Sequence, residues 1–394
     1  MKYEIRKRED GKKAIFDENG NMVSPDWYDW IWEDGLVKNE SKYYIVMKDG
    51  KRAIFDKDGN RLTEWFDGIS SKGLVKGQSN LYVAVKNGKH AIFDINGNQI
   101  TKEWYDWINP DGLVDGRGEY YKAKENEKWA IFDKDGKQIS EWFDEIYSYG
   151  LVIGESNLYV ARKDWKEAIF DINGNRITDW HDEIQPEGLV RGRGNLYIAW
   201  RNHKKAIFDI TGKQISPDWF YWIWQDGFLE GENDYYIAGK FGLGRDFIYA
   251  IFDRNGKMIT PGWFDDISLE GLLQKESDYY VARKDGRDAI FDKDGNQITQ
   301  WFDKILPNGL VKGECDYFIA CNGEECAIYY KNGQKVSEDF SRVCVRNSKE
   351  TTFNENLGIV KFEMYDGTIL AIEFKPVYPY KKEEFLDYTK LLNI

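Results

Sequence analysis

Short apolar runs alternate with turn residues at an even pace along this chain, and one run keeps returning. The tetrapeptide Ala-Ile-Phe-Asp begins at Ala14, Ala53, Ala91, Ala130, Ala168, Ala206, Ala250 and Ala289, and a decayed copy, Ala-Ile-Tyr-Tyr, begins at Ala327. The spacing is 38 or 39 residues, apart from one interval of 44. A fixed period in this range marks a tandem array and overrides the two or three domains that length alone suggests. The one-residue variation lies in the connector, Thr-Glu-Trp65 in one copy and Ser-Pro-Asp-Trp27 in another, and the interval of 44 adds five residues before Ala250.

Within a copy the pattern predicts short strands joined by tight turns. In the third copy Leu81-Tyr82-Val83-Ala84-Val85 is rich in β-formers, and Asn87-Gly88 follows as a two-residue hairpin signal. His90-Ala91-Ile92-Phe93 is the next strand, Asn96-Gly97 turns the chain again, and Gln99-Ile100-Thr101 reads as a third strand. Trp104-Tyr105-Asp106-Trp107-Ile108 comes next, and Gly112-Leu113-Val114 reads as a further strand leading into the following copy. The unit is therefore antiparallel β, with about four short strands.

Adjacent Ile and Phe point to opposite faces of a strand, so both faces must be covered. One copy of about 38 residues cannot do this alone, and neighbours must stack to share a core. The predicted fold class is all-β: nine tandem antiparallel repeats over residues 1–340, stacked as an open β-superhelix or a β-propeller-like array. Nine copies exceed the usual four to eight blades of a closed propeller, which favours the open form. One feature pulls the other way. The first copy lacks a leading Gly-Leu-Val, and Gly358-Ile359-Val360 would close a ring by supplying it. Residues 341–394 leave the pattern and are expected to form a cap, with a hairpin from Ile359 to Phe374 around Asp366-Gly367 and a short helix over Lys381 to Leu392.

Lys128-Trp129-Ala130-Ile131-Phe132-Asp133 resembles the Lys-Trp-Gly-Phe-Ile-Asp signature of the bacterial WG-repeat family. Phe66-Asp67-Gly68-Ile69, Phe143-Asp144-Glu145-Ile146 and the recurrent Gly-Leu-Val resemble its remaining pattern, over residues 1 to about 340. The chain departs from the family at the name-giving dipeptide, where Trp occurs once and Ala stands in place of Gly. The resemblance is thus to a divergent member. It implies tandem β repeats and protein interaction, and brings no catalytic residue.

Composition narrows the function classes. Aromatic residues make up 16% of the chain, too many for a disordered polymer. No apolar stretch is long enough for a transmembrane helix. Met1 to Arg8 lacks an apolar leader core, so a cytoplasmic location is expected. A net charge of −13 disfavours direct nucleic-acid binding. Cys315, Cys321, Cys326 and Cys344 lack a C-x2-C spacing and read as buried or free thiols. Cys321 and Cys326 flank Asn322-Gly323, which leaves a cross-hairpin disulfide as the alternative.

Candidate chemistry is sparse. Asp56-Lys57-Asp58-Gly59-Asn60 resembles a calcium loop, but its glycine comes one step early and no distal Glu follows, so it reads as a hairpin turn. His90, His181 and His203 occupy unequal slots, and no nucleophile elbow, zinc-protease motif or phosphate loop is present. Asp67, Asp106, Asp144, Asp182 and Asp303 recur with the repeat and are expected to cap backbone N–H groups. No catalytic residue, metal or cofactor is expected.

The residues that break the repeat carry the functional signal. Eight tryptophans, Trp27, Trp65, Trp104, Trp142, Trp180, Trp219, Trp263 and Trp301, share one slot and are expected in the core. Trp30, Trp107 and Trp222 fill a slot that is charged in most sister copies, so it should face solvent. Trp129, Trp165 and Trp200 lie around the first hairpin of copies 4 to 6, and Phe241, Leu243, Arg245 and Phe247 form an insertion at the same hairpin of copy 7. These ten residues are the predicted partner-binding edge. The leading expectation is a non-enzymatic protein-binding scaffold. An acidic inhibitor or immunity-type protein that blocks a basic partner such as a nuclease is the alternative, and a carbohydrate-binding repeat module the second.

Overall fold

The repeating motif builds a hairpin in which the recurrent Asp and the recurrent Ser or Thr each serve a backbone N–H. In the second copy, strand Tyr43–Lys48 turns at Asp49-Gly50 and returns as Lys51–Asp56, pairing Val46 with Ala53 and Ile45 with Ile54. The Asp of the tetrapeptide then shapes the next turn: Asp56 Oδ1 accepts from the N–H groups of Asp58 and Asn60 at 2.9 and 2.8 Å. This is the turn chemistry expected of the calcium-like loop. Two-residue hairpins in the same register recur at Leu81–Lys86 with Lys89–Asp94, Tyr120–Glu125 with Lys128–Asp133, Leu158–Lys163 with Lys166–Asp171 and Tyr279–Lys284 with Arg287–Asp292. The recurrent Ser or Thr accepts the N–H of the motif isoleucine, as Thr63 does for Ile54 and Thr178 for Ile169, each at 3.0 Å.

The computed structural model describes residues 2–244 and 246–377. They form an all-β chain of small antiparallel sheets, with a helix at Arg342–Arg346 and a 3-10 turn at Gly271–Gln274. Contacts divide it into two compact units. The first holds Met1–His203, Ile207–Gln214 and Leu229–Gly231, and the second holds Lys204–Ala206, Ile215–Phe228 and Glu232–Ile394.

The sheets are out of frame with the sequence repeat. The residues after each Tyr/Phe-Asp form a strand of two or three residues that pairs with the following hairpin: Trp30–Ile31 with Tyr43–Lys48, Gly68–Ile69 with Leu81–Lys86, Trp107–Asn109 with Tyr120–Glu125. Each such sheet therefore borrows a strand from its predecessor. The first copy has none to borrow, and its sheet is the two-stranded pair Tyr3–Lys7 and Lys13–Asp17.

Two expected strands are corrected. Gln99-Ile100-Thr101 makes a single bridge, Phe93 to Gln99, because Thr101 turns inward to accept a backbone N–H, that of Ile92. Gly112-Leu113-Val114 is a turn. Gly112 sits at φ 93°, and a Cβ there would lie 2.2 Å from the Val152 carbonyl oxygen and 2.5 Å from that of Tyr120. Only glycine allows this reversal with the neighbouring copy pressed so close.

Stacking of copies supplies the cores. Tyr44, Val46 and Phe55 pack against Ile15, Tyr28 and Ile31 of the preceding copy. On the opposite face Tyr43, Ile45 and Ile54 pack with Phe66, Ile69 and Leu74, which follow the hairpin, and with Tyr82 of the next copy. The eight repeat-slot tryptophans depart from the expected core position. Each is half-buried, and several meet the motif Phe at a steep angle, as Trp104 meets Phe93 at 5.7 Å and Trp180 meets Phe170 edge-on at 5.9 Å.

Both ends of the array have their own finish. On the face turned away from the second copy, the slots filled by buried Tyr44 and Val46 hold exposed Glu4 and Arg6 in the first copy, paired at 2.5 Å. At the other end Ser348–Asn354, Ile359–Met364 and Ile369–Glu373 form a sheet whose Val360 and Phe362, with Phe374 just after it, pack on Tyr317, Ile319 and Ile328 of the last copy. The hairpin around Asp366-Gly367 is present. Ile359–Met364 is the middle strand, bonded on both edges, so it does not supply the ring-closing strand. The helix expected over 381–392 lies outside the described residues. Cys321 and Cys326 face each other directly across their hairpin, with Cα atoms 3.9 Å apart, and are joined by a disulfide. This corrects the free-thiol expectation: pairing is set by the non-hydrogen-bonded register one step from the turn, where Cα atoms come closest, and not by a linear motif. Cys315 and Cys344 are free.

Replacing Thr178 with Val leaves the buried Ile169 N–H without its acceptor. The expected cost is about 1–3 kcal/mol, read as a lowered denaturation midpoint with an unchanged slope.

Candidate functional site

The recurrent aspartates bracket neighbouring hairpins together. Asp106 takes Lys89 of one hairpin at 2.9 Å and accepts the N–H of Asn126 at the tip of the next at 2.8 Å. Asp67 joins Lys51 to Asn87, Asp144 joins Lys128 to Asp164, and Asp182 joins Lys166 to Asn202 in the same way. In the second unit Asp303 lies 3.8 Å from Arg287 and accepts from Gly323 N–H at 2.7 Å. The expected capping role of these aspartates is what the geometry shows. Their hydrogen bonds from Lys51, Lys89 and Lys166 hold the carboxyls of Asp67, Asp106 and Asp182 below the usual range. Within the first unit the brackets set successive hairpin tips side by side.

What occupies each tip differs. The two turn residues have positive φ, which suits Asp49-Gly50 and Asn87-Gly88. Three successive tips place a full side chain at the glycine position: Glu127 at φ 67°, Trp165 at φ 62° and His203 at φ 62°. Trp165 is 87% exposed. A bulky residue in the left-handed region is an outlier, and strain of this kind collects where a side chain has a task.

The other predicted tryptophans are less free. Trp30 is 46% and Trp107 50% exposed, although Lys13 lies 3.0 Å over the first ring and His90 packs 4.6 Å from the second. Trp222 shares their slot but is half-buried, because Gly239 opposite it leaves room and Tyr249 meets it edge-on at 5.5 Å. Trp129 is half-buried under the Lys122 ammonium at 4.7 Å, and Trp200 is half-buried opposite Glu183. These positions form one row across each sheet, the row beside the hairpin tip.

In the second unit the inserted hairpin pairs Tyr235–Phe241 with Phe247–Asp253. Phe241 and Phe247 meet across it at 4.4 Å, and Leu243 stands fully exposed at its tip. Arg245 lies outside the described residues. The bracketing Asp is Tyr221 in this copy, and its ring packs 4.7 Å from Phe241. The longer hairpin has thus exchanged a polar bracket for an aromatic one. That exchange is legible in the sequence, where Tyr221 alone interrupts the Asp slot of the first eight copies.

Buried charges were missed, among them Glu167, Asp288 and Lys122. Glu167 accepts from Tyr147 Oη at 2.5 Å and Arg162 Nη2 at 2.7 Å, while its other oxygen takes the Ile184 N–H at 2.8 Å. Asp288 does the same work in its copy, with Arg283 Nε at 2.7 Å and Ile305 N–H at 3.0 Å. Each ties a hairpin to the short strand of the next sheet. Lys122 replaces a core Ile or Val, donates to the Ile146 carbonyl at 2.5 Å, and has its pKa lowered by burial. Charges at apolar slots were the available signal. His90 and His181 are structural by position: His181 is buried, and burial lowers the pKa of both.

No family model and no curated protein matches the chain. Among solved structures, a eukaryotic initiation factor aligns at 10% identity over 86% of this chain and 96% of its own, with a TM-score of 0.30. Hsv2 of Kluyveromyces lactis aligns at 10% identity over 76% and 97%, with a TM-score of 0.23. The β-propeller domain of Cps50 (Swd1) of Myceliophteria thermophila aligns at 10% identity over 67% and 94%, with a TM-score of 0.22. Likeness this loose carries no argument about this chain.

The strained tip generates an inverted mutational result. Trp165→Gly should raise stability by about 1 kcal/mol, measured as an upward shift in Tm, because the left-handed penalty is relieved and no buried contact is lost. The brackets generate a pH dependence. Carboxyl pKa values that lie lower in the folded state stabilise fully above the unfolded value near 3.9, and that stability is lost as pH falls through the folded values. Asp182→Asn should therefore be less stable than the parent at pH 7, with the gap closing on acidification in parallel thermal melts.

Proposed function

We propose that this chain is a non-enzymatic scaffold that binds another protein through its hairpin tips, with Trp165 as the anchor. The carrying observation is an indole held almost wholly in solvent at a backbone position where sister copies have Gly50, Gly88 and Gly286. Aromatic side chains held out on a rigid support are the residues that dominate protein interfaces. Glu127 and His203 on the flanking tips and the exposed Trp107 extend the surface in the first unit. Tyr221, Phe241, Leu243 and Phe247 form a second contact element in the second unit. In this reading the chain is a divergent relative of the WG-repeat proteins. Its array is open, which the charged face of the first copy and the covering sheet on the last copy support: each is a terminal finish of the kind stacked repeats need.

Affinity capture with the full chain, followed by mass spectrometry, tests the reading. A protein retained by the parent should be lost about tenfold or more with Trp165→Gly, an interface hot-spot effect, while Tm stays equal or higher. Undiminished capture by that variant would remove Trp165 from the interface.

A further inference from the structure

One cleft runs against the charge of the whole molecule. It lies in the second unit, where the last repeat meets the C-terminal sheet, and has a volume of about 520 Å3. Five cationic side chains line it, Lys304, Lys312, Arg342, Arg346 and Lys349, against a single carboxylate, Glu350. Leu306 and Val345 add apolar wall. The chain as a whole carries −13, so this concentration of positive charge is local.

The cations are only partly compensated. Lys304 lies 3.6 Å from Asp288, a buried acid already held by Arg283 at 2.7 Å. Arg346 pairs with Glu324 at 3.0 Å and Lys349 with Glu363 at 3.4 Å, and both of these pairs are solvent-exposed, the kind that stabilises little. Arg342 donates to the Gly323 carbonyl at 2.9 Å, and among the described residues neither it nor Lys312 has an ion-pair partner. Arg342 and Arg346 are one helical turn apart, so their guanidinium groups rise from neighbouring positions of the helix Arg342–Arg346.

We infer that this cleft binds a small, multiply charged phosphate compound of the di- or triphosphate class. Paired guanidinium forks suit phosphate oxygens, and the lysines add point charges around them. The volume falls within the roughly 300–1,000 Å3 of small-molecule sites. Net negative charge repels a long polyanion at a distance but leaves a small one free to reach a local positive well, which favours this ligand over nucleic acid.

Isothermal titration of the full chain with inorganic pyrophosphate tests the assignment. Saturable one-site binding is expected, weakened about tenfold or more in Lys312→Gln and in Arg342→Gln, and falling with added salt as a charge-dependent site must. Lys86→Gln, beside a hairpin tip of the first unit and outside the lining of the cleft, should bind as the parent does. Circular dichroism checks each fold. Lys312→Gln carries the test if Arg342→Gln unfolds, since Lys312 has no side-chain partner to lose. Absence of saturation, equal binding by every variant, or saturation by a polyglutamate peptide but not by pyrophosphate would overturn the inference. None of these results depends on Trp165 or on the proposed protein partner.

Discussion

The structure rests on the sharing of cores between copies whose strands are apolar on both faces. A hairpin that presents Tyr43 and Ile45 on one side and Tyr44 and Val46 on the other has no solvent face to spare. It folds only between neighbours. The short strand that each copy lends to the next extends the same logic to the backbone, because the edge of every later hairpin is bonded by residues of its predecessor. The isoleucine carried on that strand, Ile31, Ile69, Ile108 and Ile146 in the first copies, is buried each time. Stacking and strand lending together make the array cooperative from one copy to the next.

Apart from Lys122 in a core slot, the variation described above falls at two places beside the stack. One is the hairpin tip, held from behind by a bracketing aspartate and otherwise free in solvent. The other is the row beside the tip, where each sheet carries its own self-consistent set: Trp107 with Lys124 and Trp129, Glu145 with Arg162 and Glu167, Asp266 with Arg283 and Asp288, and Lys304 with the Cys321–Cys326 disulfide. Cross-strand neighbours on one face interact directly, so a change at one position of the row is answered at the next. Function placed on these positions does not disturb the core.

The two ends answer the constraint differently. At the N-terminus the exposed face is made polar by Glu4 and Arg6, with the Arg6 guanidinium 4.4 Å over the Phe16 ring, and charge on an edge strand also discourages pairing with other chains. At the C-terminus a separate sheet covers the last copy, and the seam between them creates the cationic cleft. The cleft is a by-product of capping, since no pair of ordinary repeats brings such a helix and sheet together.

The sequence by itself determined the period, the hairpins and the roles of the motif residues. These follow from local chemistry: Asn-Gly and Asp-Gly accept positive φ, the motif Asp caps its own turn, and Ile beside Phe demands cover on both sides. The special place of Trp165 was also legible, as a bulky residue where glycine belongs. The tertiary structure alone decided which residues pair at long range. The sheets proved to be out of frame with the repeat, Gly112-Leu113-Val114 proved to be a turn under pressure from Val152, and Cys321 met Cys326 through strand register. Burial of Glu167 and Asp288, and the partial burial of Trp222 beside Gly239, likewise depend on what faces each side chain across the sheet. Local sequence sets φ and ψ preferences, whereas exposure and pairing are properties of neighbours distant along the chain, and no window of a single copy contains them.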